Sequence, residues 1–380
     1  MNSLRSFILF AAILFWSCSE DEPLKLGYGN GELDQLILER VEQDNIPSVA
    51  AAIVKNDSIA WRNTFGYEDR AAKEIPNGET IYGLASISKT FVALAAMQLY
   101  EQGLIDLDGD INQYLDFSVR NPRFPLIPIT TRMLLTHTSG LAWPLYEENP
   151  RFYSRYNIGE GPKLGEAVEQ YVVPGGTYYS SRIWEETVPG DQFQYSNIGI
   201  ALLGYVVESV SGMDFADYCK QYIFQPLQMG NTGFRSKELS ADNLALLYHN
   251  GAIIEEYESP FYPAGLLRSS LNDLSHYVIA MINGGAFEGN RIIDATTVDE
   301  MLSIQLPEGG LYEGGMAFGW QWLDDRWVGH LGGSWGTSTS MDINLQDGTA
   351  VIILSNANEV EAVYPGGFIY ERLHFEAGEF

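Results

Sequence analysis

The sequence predicts an α+β fold: an antiparallel sheet flanked by helices, built from both chain ends, with a helical domain inserted between them. Three observations predict it. Two β-patterned runs near the N-terminus, Ser48–Lys55 and Ile59–Tyr67, flank an Asn56-Asp57 turn and read as a hairpin. Three further runs, Trp327–Leu331, Ser338–Leu345 and Thr349–Leu354, bring β character back near the C-terminus, with Gln346-Asp-Gly as the turn between the last two. From Leu104 to about Gly265, helix and loop signals dominate, so the strands of the two termini must find each other around that insertion.

The elements follow in order. Leu33 to Glu42 has the periodicity of an amphipathic helix, and the hairpin comes next. Phe91, Leu94, Ala95 and Leu99 fall at helical spacing, predicting a helix with one apolar face that Gly103 ends from the left-handed C′ position. The stretch from Leu141 to Tyr195 is loop-like and aromatic, including Trp143, Tyr146, Phe152, Tyr153, Tyr156, Tyr171, Tyr178, Tyr179 and Trp184. Such residues either roof a core or line a substrate cleft. An apolar helix follows from Ile198. Ser270-x-x-Asp273 is a capping box opening a helix from Leu271 to Asn283, and a last helix runs from Phe368 to Phe375.

Bulk properties bound the function. A chain of 380 residues, 46% hydrophobic, can fill the core of one large domain or two intimate ones. The net charge of −28, from 22 basic and 50 acidic residues, argues against nucleic acid and anionic membrane surfaces as partners. At the N-terminus, Arg5 precedes an apolar run from Phe7 to Trp16, the length of a signal h-region and shorter than the ~20 residues of a membrane span. Ser17-Cys18 then resembles a bacterial lipoprotein signal, with Cys18 as the lipidated residue; plain secretion with cleavage nearby is the alternative. The expected organisation is a lipoprotein-type signal at 1–18, a linker at 19–31 and a domain at 32–380. Its sheet part covers about 32–103 and 266–380, its helical part about 104–265. An exported, envelope-located protein follows, attached to a membrane only through the lipid. Cys219 has no cysteine partner in the mature chain other than Cys18, so no disulfide is expected. The histidines at 137, 249, 276, 330 and 374 show no metal-ligand spacing, and neither a metal nor another cofactor is expected.

Chemistry gathers around Ser86-Ile87-Ser88-Lys89. An amine three residues from a hydroxyl at a helix start lies on the same face and can take the proton of a nucleophilic serine. The helix N-terminus favours the resulting negative oxygen. The pattern alone is weak, since an N-capping serine with a solvated lysine would look the same. Tyr195-Ser196-Asn197 adds a phenol that can carry a proton and an amide that can hold a lysine or a substrate carbonyl. Gly329-His330-Leu331-Gly332-Gly333 lies on a strand whose edge can lend a backbone N–H to an oxyanion hole. A rival is Gly332-Gly333-Ser334-Trp335-Gly336, which matches the Gly-x-Ser-x-Gly nucleophile elbow but is followed by β pattern where that elbow needs a helix. His137, in Leu134-Leu-Thr-His-Thr-Ser-Gly-Leu141, is either a triad base or, the better reading, a buried histidine tying a turn.

Together these motifs, with Pro263-Ala-Gly-Leu-Leu-Arg-Ser-Ser and Phe318-Gly-Trp320, resemble the serine β-lactamase and penicillin-binding superfamily, in its class C β-lactamase-like branch. That branch also holds DD-carboxypeptidases, D-aminopeptidases and esterases. The resemblance runs from about Leu33 to the last helix. It implies Ser86 as acyl-accepting nucleophile, Lys89 with Tyr195 as proton shuttle, and Asn197 steadying Lys89 and substrate. His330 takes the place of the lysine of the family's Lys-Thr-Gly strand, and the backbone N–H groups of Ser86 and Gly333 form the oxyanion hole. Leu331 stands where relatives acting on lactams or peptidoglycan stems carry the hydroxyl that binds a substrate carboxylate. The expectation is therefore an exported serine hydrolase acting on a small-molecule ester, amide or peptide, with DD-carboxypeptidase or β-lactamase activity and a non-catalytic sensor as alternatives.

Overall fold

The computed structural model describes residues 31–142 and 161–380. The signal with Cys18, nearly all of the linker, and Trp143, Tyr146, Phe152, Tyr153 and Tyr156 lie outside the described residues.

Helix α1 (Gly31–Gln43) leads into the hairpin β1 (Ser48–Lys55) and β2 (Ser58–Gly66); β3 (Ile81–Gly83) precedes α2 (Ser88–Glu101). The inserted region carries α3 (Thr131–Leu135), α4 (Leu164–Val172), α5 (Asn197–Ser211) and α6 (Phe215–Cys219), then a small hairpin of β4 (Leu247–His249) and β5 (Ala252–Ile254). The chain returns through β6 (Arg268–Ser270), α7 (Leu271–Ile282), the pair β7 (Ala286–Phe287) and β8 (Asn290–Arg291), and α8 (Ala295–Leu302). The strands β9 (Gln321–Trp322), β10 (Trp327–Ser334), β11 (Thr337–Asn344) and β12 (Thr349–Ser355) and the helix α9 (Phe368–Ala377) complete it.

The main sheet has six strands in the order β2-β1-β12-β11-β10-β9, with every neighbouring pair antiparallel. Strand β1 from one chain end is paired with β12 from the other, in register from Val49 opposite Ser355 to Lys55 opposite Thr349. The α+β fold predicted from the sequence, a sheet made of both termini with helices inserted, is the fold observed. Because side chains alternate across a strand, β1 sends Ala50, Ala52 and Val54 into a core shared with α2, α5 and α7. Val49, Ala51 and Ile53 go into a second core under α1 and α9, with Leu33, Ile37, Ile369 and Leu373. Both faces are covered, so β1 is apolar throughout rather than alternating. Each of those large aliphatic side chains contributes roughly 1.5–3 kcal/mol by burial.

Several local readings need correction. Helix α2 is buried on every side from Ser88 to Leu99, not on one face. It runs through the middle of the molecule, where Phe91 stacks on Tyr277 at 4.0 Å and meets Phe224 edge-on at 5.9 Å. A helix apolar all round is a core helix. Its end follows expectation, with Gly103 at φ +71°. The loop-like aromatic stretch contains α4, whose Leu164, Ala167, Val168, Tyr171 and Val172 bury one face; the flanking prolines and glycines hid that spacing. The Ser270 box is half made: Ser270 Oγ accepts the Asp273 N–H at 3.2 Å. The Asp273 carboxylate turns away to accept the Asn231 N–H and the Thr232 hydroxyl.

Strand β10 reaches Ser334, three residues beyond expectation, while β9 pairs only with Val328 and Gly329. Among the described residues, β10 from His330 onward therefore has no strand partner on that edge, and this edge borders the turn Ala85–Ile87.

Candidate active site

The turn Ala85–Ile87, a single turn of 3₁₀ helix, presents Ser86 just before α2. Ala85 is held at φ +47°, a left-handed conformation that costs a residue with a Cβ about 1 kcal/mol or more. Surrounding bonds hold it there. The Leu84 N–H donates to Leu267 O at 2.8 Å, Ser88 Oγ donates to Ala85 O at 2.5 Å and accepts from Leu267 N at 3.0 Å, and Thr339 Oγ1 donates to Leu84 O at 3.0 Å. Ser86 is left partly exposed while its neighbours on both sides are buried. It does not cap α2, whose N-cap is Ile87 with no side-chain bond.

Lys89 is fully buried, the opposite of a solvated surface lysine. Its Nζ lies 2.9 Å from Ser86 Oγ and donates to Ala264 O at 2.5 Å. Burial holds its pKa well below the ordinary lysine value, favouring the neutral amine. Tyr195 sits just before the N-cap of α5, where Ser196 Oγ accepts the Gly199 N–H at 3.0 Å. Its ring centroid is 5.1 Å from Lys89 Nζ. Burial pushes its phenol above the ordinary tyrosine range, partly offset by a hydrogen bond with Ser86. Ser86, Lys89 and Tyr195 thus converge.

Asn197, the first residue of α5, has a buried Oδ1 with no partner, and among the described residues no hydrogen bond joins it to Lys89. The second partner of the amine is instead the Ala264 carbonyl. His330 projects from β10 toward the same core as Met341, its register partner. Its Nδ1–H donates to the adjacent Leu331 O at 2.6 Å, leaving Nε2 buried and unpartnered. Burial first, and then the nearby Lys89, bring its pKa down to about 3, so the ring is neutral at physiological pH. The cation expected from the family pattern is absent from this position. Gly332 is pressed against the turn that presents Ser86: a Cβ there would come within 2.3 Å of Leu84 O and 2.2 Å of Thr339 Oγ1. Its neighbour Gly333 is exposed on the free edge.

His137 is a buried histidine tying a turn: its Nδ1 accepts the Ser196 N–H at 3.1 Å. Ser334 is no elbow nucleophile, because β10 turns directly into β11, and Ser334 Oγ bonds the Tyr257 hydroxyl at 2.9 Å. Of the loop-like aromatic stretch, Tyr171 and Trp184 are buried and roof the core. Two contributors escaped the sequence reading. Ala264 acts through a carbonyl, which leaves no mark on side-chain patterns. Tyr364, whose hydroxyl donates to Gly332 O at 2.8 Å, is a lone tyrosine beyond the last strand and belongs to no motif. Among the described residues no three His, Cys, Asp or Glu side chains converge as a metal site. No single helix among them is long and apolar enough to cross a membrane.

This architecture, an antiparallel sheet closed by both termini with helices inserted, defines a class of α+β serine hydrolases. The beta-lactamase family model matches residues 33–374, and the chain belongs to that family, within the beta-lactamase and penicillin-binding-protein-like superfamily. It is similar to "Protein flp" of Staphylococcus aureus strain N315, 22% identical over 335 residues, 86% of this chain and 63% of that protein. It is also similar to "Beta-lactamase-like protein 2" of Dictyostelium discoideum, 29% identical over 317 residues, 78% of this chain and 54% of that protein. The chain thus spans only about three fifths of the length of these relatives. Among solved structures, the octameric penicillin-binding protein homologue from Pyrococcus abyssi superposes with a TM-score of 0.71 at 28% identity, over 86% of this chain and 73% of that one. The D-amino acid amidase from Ochrobactrum anthropi SV3 shares the fold, with a TM-score of 0.72 at 22% identity over 92% of this chain and 98% of that one.

Proposed function

We propose that this chain is a serine hydrolase that cleaves an ester, or an amide without a neighbouring carboxylate, through an acyl-enzyme on Ser86. The observation that carries the reading is the buried, pKa-lowered Lys89 amine 2.9 Å from Ser86 Oγ. Tyr195 is pushed the other way and stays a phenol, so the two environments divide the labour: Lys89 is the base and Tyr195 the proton donor.

Ser86 Oγ attacks the substrate carbonyl carbon as its proton passes to Lys89 Nζ. The tetrahedral oxyanion is held by the N–H groups of Ser86 and Gly333. The ammonium formed on Lys89 is favoured by the adjacent Tyr195 ring. Collapse breaks the bond to the leaving group, which takes the Tyr195 proton while Lys89 returns one to Tyr195. Water then attacks the acyl-serine by the reverse route, with Lys89 again accepting the proton. Neutral His330 and aliphatic Leu331 offer a substrate carboxylate neither a cation nor a hydroxyl, which supports an uncharged substrate. The proposed setting is the cell envelope, reached through the N-terminal signal with Cys18 as lipid anchor.

The test is intact mass against time with p-nitrophenyl butyrate and with benzylpenicillin, for the wild type and Ser86→Ala. A butyryl adduct with release of p-nitrophenol, absent in Ser86→Ala, and intact penicillin are expected. Faster acylation by penicillin than by the ester establishes the lactam-recognising alternative. No adduct and no product from either establishes a non-catalytic protein.

A further inference from the structure

His137 lies outside the proton-transfer set yet packs on Tyr195 and holds both of its chain neighbours. Its ring packs on the Tyr195 ring with centroids 4.5 Å apart at 34°. Its Nδ1 accepts the Ser196 N–H at 3.1 Å, and its backbone carbonyl accepts the Gln194 N–H at 2.7 Å. The N–H groups of Gln194 and Ser196, the residues on either side of Tyr195, are therefore both held by one residue. Phe193 closes against the imidazole edge-on at 5.9 Å, and the neighbouring Thr138 carbonyl accepts the Gly190 N–H at 2.7 Å. The ring is 1% exposed. His137 itself is held at φ +56°, a left-handed conformation uncommon for residues other than glycine and enriched in Asn, Asp and His. A residue kept in such a conformation at the end of α3, with its ring on one tyrosine and its carbonyl and Nδ1 on that tyrosine's two chain neighbours, is over-determined for a simple turn.

We propose that His137 is a positioning residue for acyl transfer, holding the Tyr195 hydroxyl at Ser86 by clamping the backbone on both sides of the tyrosine and packing on its ring. This rests on the reading of Tyr195 as proton donor. A phenol that must relay a proton between Ser86, Lys89 and a leaving group tolerates little displacement, since an error of about 1 Å costs on the order of 100-fold in rate.

The experiment is single-turnover acylation by p-nitrophenyl butyrate at saturating ester, with circular dichroism and thermal melting on every variant. His137→Gly accepts the left-handed backbone without strain but removes ring and acceptor. It is expected to fold, to lower the maximal acylation rate by roughly 30-fold and to leave half-saturation within about twofold. His137→Asn keeps an acceptor near the Nδ1 position and tolerates the same backbone, and recovers to within about threefold. His137→Gln carries its amide one bond further out and stays slow. In a Tyr195→Phe background, His137→Gly has no further effect, because its influence passes through the hydroxyl that is gone. Equal losses in the Asn and Gln variants, or the same His137→Gly loss with and without the Tyr195 hydroxyl, overturn the proposal. Should His137→Gly fail to fold, the Asn and Gln pair decides. A slow Tyr195→Phe with a normal His137→Gly sinks the proposal alone. A normal Tyr195→Phe, or a wild type not acylated at Ser86, removes the reading of Tyr195 and the proposal together.

Discussion

The two faces of the sheet each bury basic side chains, and they treat them differently. On the α9 face, His374 Nε2 lies 3.1 Å from the buried Asp342 carboxylate. The ring also stacks on Tyr370 at 3.9 Å and meets Trp327 at 4.5 Å. Gly329 makes room for this, as a Cβ there would sit 2.1 Å from Asp342 Oδ1. On the α2 face, Lys89, His137 and His330 are crowded together, and no ion pair joins any of them to an acid among the described residues. Their basicity falls instead, and Nε2 of both histidines and Oδ1 of Asn197 are left without partners. A buried base packed beside an acid is a structural element, whereas one with no acid beside it can be a proton acceptor held ready. The same sheet does both, one strand apart.

The contrast can be broken at three points. The largest effect is expected at Lys89. Replacing Lys89 by Met removes the base and lowers acylation of Ser86 by about 1,000-fold or more, while the melting temperature holds or rises, because an apolar isostere replaces a desolvated amine. Loss of activity together with collapse of the fold would instead make Lys89 a structural residue. Next is the other face. Asp342→Ala removes the buried side chain beside His374 and is expected to cost roughly 3 kcal/mol in denaturant unfolding, with the acylation rate unchanged within about twofold. A rate loss matching the stability loss would show the faces to be coupled. The smallest effect is in pH dependence. An unfolded histidine binds its proton near pH 6.5 but His330 only near pH 3. Between those values the unfolded state holds more protons, so stability falls as the pH drops through that window. By pH 5 the His330 contribution is a loss of about 2 kcal/mol. His330→Gln should flatten the decline measured by urea unfolding between pH 7.5 and 4, and an unchanged slope would mean the ring is not held neutral.

How much of this was legible differs by the kind of signal. The strand pairing of the termini could be read from alternating and β-branched runs, and Ser86, Lys89 and Tyr195 from their spacing and the helices behind them. The glycine end of α2 was equally plain, since the left-handed φ of +71° at Gly103 suits that residue. Helix α2 was misjudged because periodicity reports one wet face, and a helix in the middle of a molecule has none. His330 was read only as standing in the place of the family's lysine. Only its enclosure beside Lys89, a property of tertiary packing, takes it to the neutral state. The carbonyl of Ala264 and the edge left free by a short β9 are backbone features, silent in any pattern of side chains. Leu331 was visible as a departure, and its direction, toward Tyr364 on the α9 side, followed only once the register of β10 was known.

Closing the sheet with both termini also governs how the molecule is made. Ser48 Oγ donates to Asn356 Oδ1 across 308 residues of chain, and β1, interior in the finished sheet, is synthesised long before its partner β12. Throughout synthesis its hairpin carries an open edge of apolar residues, the kind of surface that holdase chaperones cover and that seeds aggregates when they do not. The strand bearing Gly333 is equally late. A chain halted before β12 therefore keeps that hairpin edge open and sticky.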